Sequence, residues 1–372
     1  MLIANITAIT LLLVFAIALW ITKRRAIADI YLMLIIFTFT AYLVSDIWVN
    51  LALNRWSFAF HNLTSYLMFL PFFFYAMLLI TGRSRIKKSW LWFTLFHVAF
   101  AVFAVLDIFI LNDYSNEDIR RTYLDPPWMY HFFYKGLHLY IIGAMIWFLF
   151  RLRHYQRKIK DFYSNVEDVK LDWIKYFAWI YIIIYSTSLI TFLLLNIGLI
   201  SDIKIPYLLI SVLMVISLFG LIYKGIKQYA QANFAEVGTT NTEIENEKYT
   251  TSSLSDQAAD ELFDRIQQLF KNENIFHNPE LKVQDIAEKL AVTNHNISQV
   301  LNQKAEKTFY EFVNSYRLDY FKELLADPEK RRFTILALGM ESGFNSKASL
   351  NRVFKQQLGL TPREYQQSTM AS

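Results

Sequence analysis

The chain has 372 residues, of which 55% are hydrophobic, 17% aromatic and 19% charged, with a formal net charge of +5 and no cysteine. Without cysteine, disulfides and thiolate metal sites are excluded. The balance is too apolar for one ordinary soluble domain, and it conceals an apolar half from Met1 to about Ile226 and a polar, charged half from about Lys227.

A spanning helix needs about 20 mostly apolar residues. Seven runs meet that need: roughly Ile3–Thr22, Ile30–Asn50, Phe58–Thr81, Trp90–Leu111, Tyr130–Phe150, Ile174–Leu199 and Ile205–Ile226. The first does not read as a cleavable signal, because its basic residues, Lys23, Arg24 and Arg25, follow the apolar run. Pro71 is well inside the third run and predicts a kink.

Basic residues predict the orientation. The first loop carries Lys23, Arg24 and Arg25, and the third Arg83, Arg85, Lys87 and Lys88. The fifth carries Arg151, Arg153, Arg157, Lys158, Lys160, Lys170 and Lys175. The even loops hold only Arg55, then Arg120 and Arg121, then Lys204. Basic loops stay cytoplasmic. The expectation is an N-terminus outside and, after seven crossings, a C-terminal half in the cytoplasm. The longest outer loop, Asn112–Met129, is too short to hold an external ligand-binding domain.

An ionisable side chain at the bilayer centre costs about 2.5–3.5 kcal/mol on insertion scales, so polar groups inside spans mark cavities or partners. Asp46, His61, Asn62, Asp107, His131, Lys135, His138 and Asn196 all fall in the expected outer half and are candidate ligand-binding residues. His131, Lys135 and His138 share one helix face by their spacing, and Asp46 and Asp107 offer charges opposite to Lys135. Three readings stand: a polar pocket for an unknown small ligand, interfacial groups with helix-to-helix hydrogen bonds, or a His/Asp metal site. No metal or cofactor is assigned. His97, in the inner part of its span, reads as structural.

No H-E-x-x-H, glycine-rich phosphate loop or cysteine cluster is present, so no catalytic residues are assigned. The Ser-x-x-Lys spacing at Ser84–Lys87 is in a basic loop and reads as a topology signal.

Beyond the last run, the helix is expected to continue to about Phe234. "EVGTTNTEIENEKYTTSSLS" then lacks apolar periodicity and reads as a flexible linker. Ser255 is the expected N-cap of a helix with Ala258, Leu262, Ile266 and Leu269/Phe270 on one stripe. The expected organisation is 1–227 membrane sensor, 228–254 juxtamembrane helix and linker, 255–274 connecting helix, and 275–372 C-terminal domain.

The last region contains two similar units. In "LKVQDIAEKLAVTNHNISQVLNQK", Val283, Ile286, Ala287 and Leu290 line a short helix, and a turn follows at Ala291–Thr293. A second helix then buries Ile297, Val300 and Leu301 and presents His295, Asn296, Ser298 and Gln299. In "FTILALGMESGFNSKASLNRVFKQQLG", Ile335 and Leu338 line the first helix, Gly343 makes the turn, and Asn345 or Ser346 caps the next. That helix buries Leu350, Val353 and Phe354 and presents Lys347, Ala348, Asn351, Arg352 and Lys355. A long amphipathic helix, "TFYEFVNSYRLDYFKELLAD", joins the units. Two helix-turn-helix units so joined would enter successive major grooves, about 34 Å apart. Asn296 and Gln299 suit adenine edges, and Arg352 or Lys347 suits guanine. Lys330, Arg331, Arg332, Lys347, Arg352, Lys355 and Arg363 face only Glu341 and Glu364 in the second unit, which therefore supplies more phosphate attraction.

Residues from about Ile275 to Gln366 resemble the DNA-binding domain of the AraC/XylS transcription regulators. The resemblance rests on "ESGFNSKASLNRVFKQQLGLTPREY" and "FYEFVNSYRLDYFKELL", with Gly343–Phe344, Arg352, Phe354, Gly359, Thr361–Pro362 and Tyr365 in the family pattern. Two departures stand out: Gly339 where the family usually has alanine, and Ala291 in a turn where glycine or asparagine is common. The layout also resembles membrane-bound AraC-like regulators. The fold class expected is all-α, a seven-helix transmembrane bundle followed by a cytoplasmic domain with two helix-turn-helix units. The resemblance implies a transcription regulator in the bacterial inner membrane. Its implied partners are double-stranded promoter DNA, RNA polymerase, the lipid bilayer, an unknown small ligand and a second copy of the chain. The alternative is a membrane transporter or enzyme with an accessory C-terminal regulatory domain.

Overall fold

A computed structural model describes residues 2–21, 27–81, 86–111, 128–167, 169–200 and 254–371, with scattered positions between 205 and 223. Most of the expected outer loop, nearly all of the linker and nearly half of the seventh apolar run lie outside the described residues. The described chain is helical, and within it no pairing of strand type is seen beyond an isolated antiparallel bridge between Tyr163 and Lys282. Contacts divide it into two compact units, Met1–Leu152 with Leu171–Asn233, and Arg153–Lys170 with Phe234–Ser372.

The first unit contains α1 (Leu2–Ile21), α2 (Ile27–Leu51), α3 (Arg55–Leu67), α4 (Leu70–Thr81), α5 (Leu91–Leu106), most of α6 (Trp128–Lys158), and α7 (Asp172–Asn196). Among the described residues, five segments are long and apolar enough to cross a membrane: Ile30–Leu51, Arg55–Thr81, Lys88–Phe109, Lys135–Asp161 and Asp172–Leu195. The expected third span is two helices, α3 and α4, with Met68 and Phe69 between them. Pro71 explains the break: its ring nitrogen has no hydrogen to donate to the preceding turn. Asn54 caps α3 by accepting from the Trp56 and Ser57 amides. The expected fourth span ends in a π-helical turn at Asp107–Leu111.

α4 is buried along nearly its whole length, from Pro71 to Leu78 and at Ile80. Aromatic rings pack around it, with Phe73 stacked on Phe93 at 3.8 Å and Tyr181 within 5.6 Å of both Phe69 and Phe72. The outward faces are the reverse of a soluble surface. Phe37, Trp92, Phe96, Leu139, Phe150 and Leu193 are all more than half exposed, apolar exposure of the kind that marks a partner or a membrane.

The second unit is built on α8 (Asp256–Glu273), α9 (Val283–Leu290), α10 (Asn294–Lys304), α11 (Phe309–Ala326), α12 (Ile335–Glu341), α13 (Lys347–Leu358) and α14 (Pro362–Ala371). Their N-caps are local and legible: Ser255, Thr293, Thr308, Thr334 and Ser346 each accept an amide hydrogen from the first turn. Of the two expected caps for α13, Ser346 is the one used; the Asn345 side-chain oxygen is buried without a partner. At α14, Glu364 accepts from the Thr361 amide at 2.7 Å, and bonds from Thr361 hold its carboxyl below the usual range. On α8 the buried alanine is Ala259; Ala258 is half-buried. The stripe runs 259, 262, 266, 269/270, one residue off the expected start.

Helix α11 serves two cores. Phe309, Phe312 and Val313 join α8, α9 and α10 in the first core. Tyr310, Leu318, Phe321 and Leu324 join α12 and α13 in the second. Gly339 lets α12 approach α13, since a methyl there would come within 2.7 Å of a Leu350 methyl.

Ala291 ends α9 at φ 53°. The left-handed conformation costs a Cβ-bearing residue about 1–2 kcal/mol, whereas glycine adopts it freely. Ala291→Gly is therefore expected to stabilise the second unit by about 1 kcal/mol, read as a shift of the denaturant midpoint at unchanged slope. A midpoint that stays put or falls would show that the turn carries no strain.

Candidate nucleic-acid interface

The second unit presents two helix pairs in which a short helix, a tight turn and a longer helix follow one another: α9 with α10, and α12 with α13. The turns are made by Ala291 at φ 53° and Gly343 at φ 91°. Each longer helix buries the expected side, with Ile297, Val300 and Leu301 on α10 and Leu350, Val353 and Phe354 on α13 all at or below 1% exposure.

The opposite sides hold the candidate DNA-contacting residues. On α10, His295 is exposed and Asn296, Ser298 and Gln299 are half-buried. On α13, Lys347, Ala348 and Lys355 are exposed, while Asn351 and Arg352 are half-buried. Lys347, Asn351 and Lys355 recur every four residues, as do Ala348 and Arg352, so all five share one face. The exposed lysines are free to meet phosphate, but Arg352 and Ser298 are engaged. Arg352 forms an ion pair with Glu167 and donates from Nε to the Tyr310 hydroxyl at 3.4 Å. Burial works against its charge, yet Tyr310 and Glu167 together hold its pKa above the ordinary value. The Ser298 hydroxyl donates to the Asp161 carbonyl at 3.0 Å.

Glu167 and Asp161 belong to residues 153–170, expected only as a basic loop between two spans. The structure builds them into the second unit. The Ser164 amide donates to the Leu281 carbonyl at 3.2 Å and the Val283 amide to the Phe162 carbonyl at 2.9 Å. Ile159 and Val166 are buried in the second core, and Phe162 packs against the first. The signal was present in the sequence: Ile159, Phe162, Tyr163 and Val166 are apolar residues at helical spacing in an otherwise polar stretch.

Sequence reasoning also missed Arg317, which is 1% exposed at the centre of α11. It donates to the Phe276 carbonyl at 2.8 Å, the Asn278 carbonyl at 2.7 Å and the Ser164 hydroxyl at 3.1 Å. Burial lowers its pKa to about 10, which leaves it protonated at neutral pH. Asn314 donates to the Ser164 carbonyl at 3.0 Å.

In the first unit, several of the candidate ligand-binding residues have described partners. Asp46 accepts from Asn5 at 2.8 Å, and His61 is 3.2 Å from the Ser45 hydroxyl, which also meets Thr64 at 2.9 Å. Asn62 is turned back on its own helix, donating to the Phe58 carbonyl at 2.8 Å. His138 Nε2 is 3.0 Å from the Ser188 hydroxyl, and Lys135 lies 4.8 Å over the Phe192 ring. Asp107 starts the π-helical turn. The side chains of His131 and Asn196 are outside the described residues. His97 is fully buried, with Nδ1 3.1 Å from the Phe93 carbonyl of its own helix and Nε2 buried without a hydrogen-bond partner. Among the described residues no cluster of three or more metal-ligating side chains occurs.

Comparison with known families places residues 286–368 within a helix-turn-helix domain, of the AraC type. That match identifies a DNA-binding regulatory domain in this part of the chain. It begins inside α9 and covers less than a quarter of the sequence. No curated protein and no solved structure matches the chain.

Proposed function

We propose that the chain is a membrane-anchored, sequence-specific transcription regulator, in which the apolar first unit holds the DNA-binding domain at the cytoplasmic face and couples it to an extracytoplasmic or membrane signal. The observation that carries this reading is the pairing of α9–α10 and α12–α13 on one rigid helix, α11, each with its polar face turned outward. Read as two helix-turn-helix units, they would place α10 and α13 in successive major grooves of promoter DNA.

The fold of residues 153–170 supports the anchoring. They share a compact unit with 234–372, so both must be on one side of a bilayer. The chain between them then crosses an even number of times, which α7 and the apolar run Ile205–Ile226 supply. Together with the basic-loop bias, this favours a cytoplasmic C-terminal domain. A reporter fused after Ser372 is expected to be active in the cytoplasm, and activity in the periplasm would reject the topology.

The guanidinium of Arg352 has donors of the kind that suit a guanine edge. Arg352→Ala is expected to weaken binding of the full-length protein to its selected duplex by about 10- to 100-fold, the ~1–3 kcal/mol of a bidentate base contact, with membrane insertion unchanged. Lys347→Ala or Lys355→Ala should instead weaken all duplexes alike and reduce the salt dependence by about one counterion. Unchanged affinity in all three variants would remove α13 from the interface. Asp46, His61, Asn62, Asp107, His131, Lys135, His138 and Asn196 remain the proposed place for a signal molecule. A second copy of the chain and RNA polymerase are the proposed protein partners.

A further inference from the structure

Residues Ile159–Lys170 occupy both expected DNA-reading helices at once. Ser298 of α10 donates to the Asp161 carbonyl at 3.0 Å, and Arg352 of α13 is paired with Glu167. Lys160 lies 5.5 Å over the ring of Tyr310, the residue that also meets Arg352. The segment offers acceptors, a backbone carbonyl and a carboxylate, and the partner of Arg352 on a guanine edge would be an acceptor too. While the segment is seated, the Ser298 hydroxyl hydrogen and Arg352 Nη1 are engaged by it and not by a base.

We infer that Ile159–Lys170 is an autoinhibitory plug, held between the two DNA-reading helices and displaced when the domain binds DNA. The inference rests on the reading of Ser298 and Arg352 as groove contacts. It adds the means by which the membrane half acts on the reader. The plug is continuous at one end with α6 and near the other with α7, so movement of those helices pulls directly on it. The plug is docked through Ser164, Ile159 and Val166. A signal then needs only to favour the undocked state. The apparent affinity for DNA is reduced by the fraction of molecules that are undocked, so a plug seated nine-tenths of the time weakens binding about tenfold.

The test uses the full-length chain in lipid nanodiscs. The bonds on either side of the Tyr163–Lys282 bridge, Ser164 to Leu281 and Val283 to Phe162, make these two a non-hydrogen-bonded antiparallel pair. Such pairs have Cα atoms about 4.5 Å apart, within disulfide range. The chain has no cysteine of its own, so Tyr163→Cys with Lys282→Cys creates a single crosslink, and neither position is a proposed DNA contact. The probe is the duplex that the wild-type chain enriches from sheared genomic DNA. The oxidised variant should bind it at least tenfold more weakly than the same protein after reduction. Glu167→Gln, which frees Arg352, should bind several-fold more tightly than wild type. Equal affinity of the oxidised and reduced forms would overturn the plug while leaving the DNA-binding reading intact. Failure of the crosslink to form under mild oxidation would also overturn it, because the segment would not be seated as described. If no form enriches any duplex, the DNA-binding reading itself fails and the plug fails with it.

Discussion

Replacing Gly343 with alanine is expected to destabilise the second unit by about 3–4 kcal/mol. Two costs combine. Gly343 has φ 91°, where an L side chain is strained by about 1–2 kcal/mol. A Cβ there would also approach the Phe276 carbonyl oxygen to 2.3 Å and the Cα of His277 to 3.0 Å. Both are backbone atoms, so the clash is relieved only by parting the α12–α13 turn from the segment after α8, at the ~1–3 kcal/mol typical of overpacking. That separation also disturbs His277, whose ring nitrogen is 2.8 Å from the Glu341 carbonyl. The measurement is denaturant-dependent hydrogen exchange of α11–α13 in the full-length protein. A loss below about 1 kcal/mol would show that the turn relaxes freely and that the close approach is not a constraint.

Arg317→Met should cost a similar amount, about 4 kcal/mol, although it replaces a buried cation with an apolar side chain of similar length. Methionine cannot donate, so the buried carbonyls of Phe276 and Asn278 and the Ser164 hydroxyl each lose a charged partner. An unsatisfied buried acceptor costs about 1–3 kcal/mol, and water reaching Asn278, which is less enclosed, offsets part of the sum. Arg317→Lys should recover little, because one ammonium cannot span acceptors that the planar guanidinium reaches from separate nitrogens. The two predictions meet at one atom. The Phe276 carbonyl accepts from Arg317 Nε, and a Cβ on residue 343 would press on both. The double variant should therefore lose less than the sum of the single variants. Strict additivity would show that the two residues act through different contacts.

The Arg317 result would also read out the plug. Ser164 joins the Arg317 group through its hydroxyl and its carbonyl. Loss of the guanidinium should raise exchange in residues 159–166 more than in α8, which is anchored by Ala259, Leu262, Ile266 and Phe270 in the first core.

Much of this protein was determined by the sequence alone, because the forces involved act over a turn or two of helix. Apolar runs of spanning length need no partner to be recognised, and among the described residues five segments are long and apolar enough to cross a membrane. The cap at Ser255 lies within three residues of the amide it satisfies. The buried sides of α10 and α13 follow from a period of 3.6. Gly343 was legible as a turn because few other residues tolerate its backbone. Even the break before Pro71 follows from one missing hydrogen.

Tertiary structure decided what those local rules leave open. It chose Ser346 over Asn345 as a cap, and it set the Ser45 hydroxyl between His61 and Thr64 and His138 against Ser188. Above all, it seated residues 153–170 in the second unit. Ser164 and Arg317 are 153 positions apart in the chain, and no periodicity or composition links positions so distant. Their pairing is dictated by the need of a buried guanidinium for acceptors that its own helix has already used in backbone bonds. That requirement arises only once α11 is enclosed by its two cores.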